Sequence, residues 1–276
     1  MKNKQHSSHT NSAFSLIELA IVLVILGLLA GGVLVGRDLI RAAEIRSITS
    51  DIDNYKSAVY VFQLKYNCLA GDCPNATNYF GAEDPNPTIC ETTASNGTLT
   101  CNGNGNRRVE DCSYEMFRFW QHLAIAGLIE GKYTGVGDVV AGCGGSLVHI
   151  LGVNAPKAAI SGSGFAFSYL DFAGGGDGAT YAINYGNLFW LGKTFGHRPQ
   201  ANLFTPREAF AVDQKIDDGK PASGFVIMRS DLGGAVDSSW GTANSCTTST
   251  SATDFNGVYN ISVTSTPCAF MIKSGL

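Results

Sequence analysis

The stretch AFSLIELAIVLVILGLLAGGVLVGRD, Ala13 to Asp38, decides the fold. Leu19 to Val35 run without a charge. With Phe14 to Ile17 before them and Gly36 after, they reach about the 20 residues that span hydrocarbon. Glu18 spoils an otherwise plain membrane helix. A lone carboxylate at that depth is costly, and it marks a functional position for which a partner is expected. Met1 to Ser12 carry Lys2 and Lys4 and no acid, so the positive-inside rule puts the N-terminus in the cytoplasm and everything after Arg37 outside. A secretory signal peptide would need a small-residue cleavage site after the apolar run, and Gly31-Gly32 is a poor substitute.

The helical pattern continues past the membrane edge. Ile45, Ile48, Ile52, Tyr55, Val59, Phe62 and Tyr66 recur at spacings of three and four, and Arg46, Asp53, Lys56 and Gln63 fall elsewhere on the circumference. No proline occurs before Pro74. The spacing predicts one helix from about Phe14 to Tyr66, roughly 80 Å long at about 1.5 Å per residue. Its first half is apolar all round and suits lipid or other helices. Its second half has one apolar stripe and suits a globular partner.

On these residues, AFSLIELAIVLVILGLLAGG resembles the N-terminal signature of type IV pilins and type II secretion pseudopilins. The resemblance implies that a prepilin peptidase cuts the leader between Ala13 and Phe14 on the cytoplasmic side, and that the new Phe14 amine is methylated. It makes Glu18 the assembly residue, with a neighbouring subunit's Phe14 amine as its partner, so that two charges costly alone are paired on assembly. Methylation leaves that cation charged. Ala13 stands where the family usually has glycine, and Val35 stands about where many members have a kinking proline. Gly27, Gly31, Gly32 and Gly36 permit close helix packing instead. The implied partners are other pilin-like subunits, the peptidase and methylase, and the inner membrane.

Beyond Tyr66 the composition changes. The chain has 276 residues, of which only 15% are charged, with 33 glycines and a formal net charge of −4. No basic patch that would suggest nucleic acid is present, and the pair Arg107-Arg108 is expected at a solvated loop tip. All eight cysteines lie at Cys68 or later: Cys68, Cys73, Cys90, Cys101, Cys112, Cys143, Cys246 and Cys268. An even number confined to the outer part implies disulfides in an oxidising compartment. No C-x-x-C pair occurs, and His122, His149 and His197 miss zinc-ligand spacing. Sequence neighbours suggest Cys68 with Cys73 and Cys246 with Cys268, among about 105 connectivities that eight cysteines allow.

Residues 67–111 read as a polar, cysteine-stapled loop region. A helix is expected at about Tyr114 to Ile129, closed by Gly131. The runs GFAFSYLDF, ATYAINYGNLFWLG, GFVIMRS, GVYNISVTS and CAFMIK are aromatic and β-branched with turn signals between them, which predicts an antiparallel sheet. Between them, Thr205 as N-cap, Pro206 and Glu208 form a capping box for a helix closed by Gly219. The fold class expected is α+β: a cleaved leader at 1–13, a long helix at 14–66 with its span at about 14–36, and a disulfide-stapled head at 67–276. FRFWQHLAIAGLIEGKY and FTPREAFAVDQKIDDGKPASG are similar to a subgroup of large pseudopilin-like bacterial proteins.

Candidate chemistry is sparse, and no cofactor is expected. Asp213, Asp217 and Asp218 gather at the end of the Thr205 helix, where carboxylates oppose the dipole, and could hold Ca²⁺. The spacing is not an EF-hand, and Lys215 and Lys220 can neutralise the cluster. The Asp/Gly stretch from Asp171 to Tyr181 reads as a hairpin turn. SGSGF at Ser161 lacks the first glycine of a nucleophile elbow. His122 sits on an amphipathic helix, where a histidine is more often structural. The reading is a pilin-like subunit, pseudopilin or minor pilin, of a secretion or pilus-like filament. The alternative is a membrane-anchored periplasmic binding protein or enzyme whose helix is only a tether.

Overall fold

A computed structural model describes residues 15–83, 99–111, 113–137, 148–171, 180–195, 198–229 and 246–276. The chain is α+β. Helix α1 runs Leu16–Tyr66, 51 residues without a break. Two compact units divide within it, one ending at Glu44 and the other covering Ile45–Leu276.

In the first unit every large apolar side chain from Leu16 to Ile40 is exposed, Leu16 to 88% and Leu28 to 73%. This stretch is apolar enough to cross a membrane, with a mean hydropathy of 2.8 over its best window. In the second unit the helix buries Ile48, Thr49, Ile52, Ala58, Val59, Phe62 and Tyr66, and Ile45 and Tyr55 pack half-buried beside them. The stripe expected from spacing is therefore the buried face.

The sheet has five antiparallel strands: β1 (Ser163–Leu170), β2 (Gly186–Phe195), β3 (Arg198–Ala201), β4 (Val226–Arg229) and β5 (Ala269–Lys273). Their order is β1-β2-β5-β4, with β3 also on β2. Period-two alternation sorts the side chains onto two faces. Phe165, Phe167, Phe189, Leu191, Phe270 and Ile272 face the main core with α1 and, beyond the short α2 (Ala76–Phe80), with α3 (Glu115–Ile125). Ala166, Leu188, Trp190, Ile227 and Met271 form a smaller core with Tyr181 and Tyr185. Tyr55 of α1 sits edge-on between Trp120 of α3 and Phe165 of β1, 5.1 Å from each ring centre. Phe119 stacks on Phe167 at 3.8 Å. These aromatic contacts join helix and sheet.

Three expectations need correcting. α3 ends at Ile125, four residues short of Ile129, because Gly127 (φ +70°) closes it. The Leu128 amide donates to Leu123 O and the Gly127 amide to Ala124 O, a Schellman ending that needs glycine at the left-handed position. GVYNISVTS does not join the sheet. Its Val258 and Asn260 pair locally with Thr248 and Cys246, since β5 already has β2 on one edge and β4 on the other. In ATYAINYGNLFWLG the strand begins only at Gly186. Strand β3 was not foreseen because Pro199 lies inside it, which an edge strand tolerates. It packs so close that a Cβ on Gly192 of β2 would lie 2.5 Å from Ala201 O.

Two disulfides of the head have both partners among the described residues. Cys68–Cys73 closes the loop after α1 (S–S 1.97 Å), and Cys246–Cys268 ties the loop before β5 to that strand (S–S 1.94 Å). Cys101 is also disulfide-bonded, and no cysteine is free among the described residues. Cys90, Cys112 and Cys143 lie outside the described residues. So does most of the stretch between Asp171 and Tyr181 read as a hairpin turn.

Candidate functional site

The start of α1 is built by four residues, Ser15-Leu16-Ile17-Glu18. The Glu18 carboxylate (Oε2) accepts the Ser15 amide at 2.8 Å, and Ser15 Oγ accepts the Ile17 amide at 3.3 Å. Glu18 supplies one half of a capping box, reaching back to the Ser15 amide from three residues on, while Ser15 Oγ takes the Ile17 amide instead of that of Glu18; each side chain accepts an N–H that the helix cannot satisfy. Sequence reasoning treated Glu18 as an intruder in an apolar run and missed this. The S-x-x-E spacing was the signal. The helix dipole favours a carboxylate here as well. Only Oε2 accepts a hydrogen bond from the described residues. Ala13 and Phe14, the expected processing residues, lie outside the described residues.

Past the apolar stretch the helix carries Arg37, Asp38, Arg41 and Glu44, with Arg41 and Glu44 3.4 Å apart. Such a half-exposed pair contributes little. The first unit therefore offers an uncovered apolar cylinder with one half-satisfied acid near its start. That arrangement can pack and pair; it holds no nucleophile or base pair for catalysis among the described residues.

In the head, His122 is fully buried and structural. Its Nδ1 accepts the Gly71 amide at 3.0 Å, so Nε2 carries the proton and donates to Thr100 Oγ1 at 2.9 Å. Thr100 donates to Gln121 at 2.7 Å, and Arg118 donates to both Gln121 (2.9 Å) and Glu83 (2.7 Å). Burial, with Arg118 nearby, lowers the His122 pKa to about 3. Ser161 sits in a turn before β1, without a following helix.

The acidic trio does come together, its ligand atoms all within 4.8 Å. Each acid already has work as an acceptor. Buried Asp213 takes the Tyr259 hydroxyl at 2.5 Å and the Gly219 amide at 3.3 Å. Asp217 takes the amides of Phe225 and, at 2.9 Å, Val226. Asp218 takes the Lys220 amide at 2.8 Å and the Ser223 hydroxyl at 2.6 Å. The trio thus clasps the end of α4 (Pro206–Ile216) to the approach of β4 and to the loop before Cys268. The capping box at the other end of α4 is complete: Glu208 N–H to Thr205 Oγ1 at 3.2 Å, and Thr205 N–H to Glu208 Oε2 at 2.8 Å.

Burial pushes Asp213 up to about 7, helped by Asp218 and Asp217. Burial does the same to Glu115, also to about 7, against the amides of Asn104 and Glu110 that it accepts. Both hold their proton more tightly folded than unfolded, where a carboxyl titrates near about 4. Stability from these groups is full below that range and is lost as pH rises through about 7. His122 acts oppositely, costing stability as pH falls below its ordinary 6.5. Above that value only the carboxyls act. The head's melting temperature is expected to fall between about pH 6.5 and 8, and Asp213→Asn should flatten part of the fall. Thermal scans at several pH values check this; a rise over that window contradicts it.

Compared with known families, residues 8–34 match the model of the prokaryotic N-terminal methylation motif. No curated protein and no solved structure matches the chain. The matched segment covers residues 8–14, the Ser15/Glu18 cap and most of the exposed apolar stretch. Together the motif and the apolar helix fit an inner-membrane anchor, and the motif points to a structural protein rather than an enzyme.

Proposed function

We propose that this chain, which carries the N-terminal methylation motif of the type IV pilin and pseudopilin family, is a subunit of a type II secretion or type IV pilus-like filament. It is made as a single-pass inner-membrane precursor with its N-terminus in the cytoplasm. A prepilin peptidase removes residues 1–13, the Phe14 amine is methylated, and the head lies in the periplasm or on the outside of the filament.

The observation that carries this reading is the pairing of an uncovered apolar helix with a half-satisfied Glu18. Large apolar side chains from Leu16 to Ile40 are exposed to 50% or more, uncovered by any of the described residues. Lipid covers them in the precursor. In a filament the helices of neighbouring subunits cover them, and the free Glu18 oxygen meets a neighbour's methylated amine. The size of the head, residues 67–276, favours a pseudopilin or minor pilin over a major shaft subunit. Glu18 argues against a tip-only role, because the subunit at the tip has no neighbour above it to pair with.

The N-terminus of the mature protein tests this. Mass spectrometry of protein purified from the membranes of a host with its own peptidase should find methylated Phe14 as the first residue. Retention of Met1 would make the helix only a tether, and the family reading of the processing step would fail.

A further inference from the structure

A cleft of about 230 Å³ opens in the second unit between the end of α1, the Cys68–Cys73 loop and the loop 103–108. Among the described residues only two without glycine's freedom adopt a left-handed backbone, Asn67 (φ +55°) and Arg107 (φ +67°). Both line this cleft. Asn67 has a local reason, since its amide closes α1 by donating to Gln63 O at 2.9 Å, and asparagine is common at that position.

Arg107 has none. Its backbone is fixed from both sides: its amide donates to Asp72 Oδ2 at 2.6 Å, and its carbonyl accepts Asn187 Nδ2 at 2.9 Å. Asp72 also accepts the amides of Gly105 and Asn106, which sets the loop's path. Glycine would follow that path with less strain, and the loop uses glycine where it must. Gly105 has φ +78°, and a Cβ on Gly103 would lie 2.4 Å from Asp72 Cα. Arginine at a third such place keeps its side chain at the cost of backbone strain. A strained residue over-determined by its surroundings is a pointer to function. The Arg107 guanidinium is exposed and makes no hydrogen bond or ion pair among the described residues, and neither does the side-chain carboxamide of half-buried Gln63 or of exposed Asn67.

We infer that this cleft binds a small hydroxylated carboxylate of about monosaccharide size, of which a uronic acid is the simplest case. Arg107 takes the carboxylate, because a guanidinium matches its two oxygens. The Gln63 and Asn67 amides, each both donor and acceptor, take hydroxyls. Pro74 and Leu69 supply the apolar wall. This binding is independent of filament assembly.

The test uses full-length protein in detergent, titrated with D-galacturonate and, as a neutral control, D-galactose. Saturable binding of galacturonate is expected, weaker by about tenfold or more for galactose. Arg107→Gly should abolish the preference and Asn67→Gly should weaken binding. Neither should lower the melting temperature, because glycine suits both backbones. Absence of saturable galacturonate binding would overturn the inference, as would undiminished binding by Arg107→Gly. So would a lowered melting temperature for Arg107→Gly, which would assign the side chain to the fold.

Discussion

Glu18→Ala is expected to insert in the membrane, be cut after Ala13 and fold its disulfide-bonded head, yet fail to enter filaments. Two losses contribute, and they differ in size. The carboxylate that accepts the Ser15 amide at 2.8 Å disappears, and losing a helix cap costs about 1 kcal/mol. A 51-residue helix survives that. The larger loss falls on the neighbour, whose buried Phe14 amine is left without an anion, at about 3–5 kcal/mol. Glu18→Gln separates the two, since glutamine can still accept the Ser15 amide but carries no charge. Sheared filament fractions and membrane fractions are compared for wild type, Glu18→Ala and Glu18→Gln. Both variants should be processed and neither should assemble. Assembly by Gln but not Ala would reduce Glu18 to a cap for its own helix. Assembly by both would remove the registry role.

Much of the fold was legible because the outer half of the long helix is governed by one periodicity. From Ile45 to Tyr66 a single stripe meets a single core, so spacing alone named the buried face. The capping box at Thr205 was equally readable, because its chemistry is local: a hydroxyl, a proline and a glutamate within four positions. The pairings Cys68–Cys73 and Cys246–Cys268 follow sequence proximity, which loop closure favours.

What sequence could not show depends on who the neighbour is. GVYNISVTS has strand composition, but no edge of β5 is free to receive it. RPQA has a proline and few apolar atoms, yet becomes a strand because β2 offers it an edge beyond the bulge at Lys193/Thr194. α3 stops at Gly127 instead of Gly131, a choice between two glycines that only the 6→1 and 5→2 bonds decide. The acids Asp213, Asp217 and Asp218 were read as a group, correctly, but the Tyr259 hydroxyl that Asp213 accepts comes from 46 residues away, beyond the reach of local pattern. Arg107 was expected at a solvated tip. Its left-handed backbone, imposed by Asp72 from 35 residues away, is invisible to local pattern.

Phe62→Ala is expected to destabilise the second unit severely, although it lies on the same continuous helix as the membrane segment. Phe62 is fully buried and touches three rings, Tyr66 at 4.6 Å, His122 at 6.0 Å and Phe80 at 6.3 Å. Removing it leaves a cavity among aromatics that cannot collapse around the tethered His122, and such losses run to about 3–5 kcal/mol. Domains of this kind are stable by about 5–15 kcal/mol, so a large share of the total goes. Leu64→Ala, two residues on, is the control: Leu64 is 86% exposed, and its removal should change stability by no more than about 0.5 kcal/mol. Denaturant unfolding of full-length protein in detergent, followed by the fluorescence of buried Trp120 and Trp190, measures both. A small effect of Phe62→Ala would mean that the sheet and α3 hold together without the helix. The large effect expected makes the outer half of α1 part of the head's core, so that the helix cannot loosen from the domain it carries.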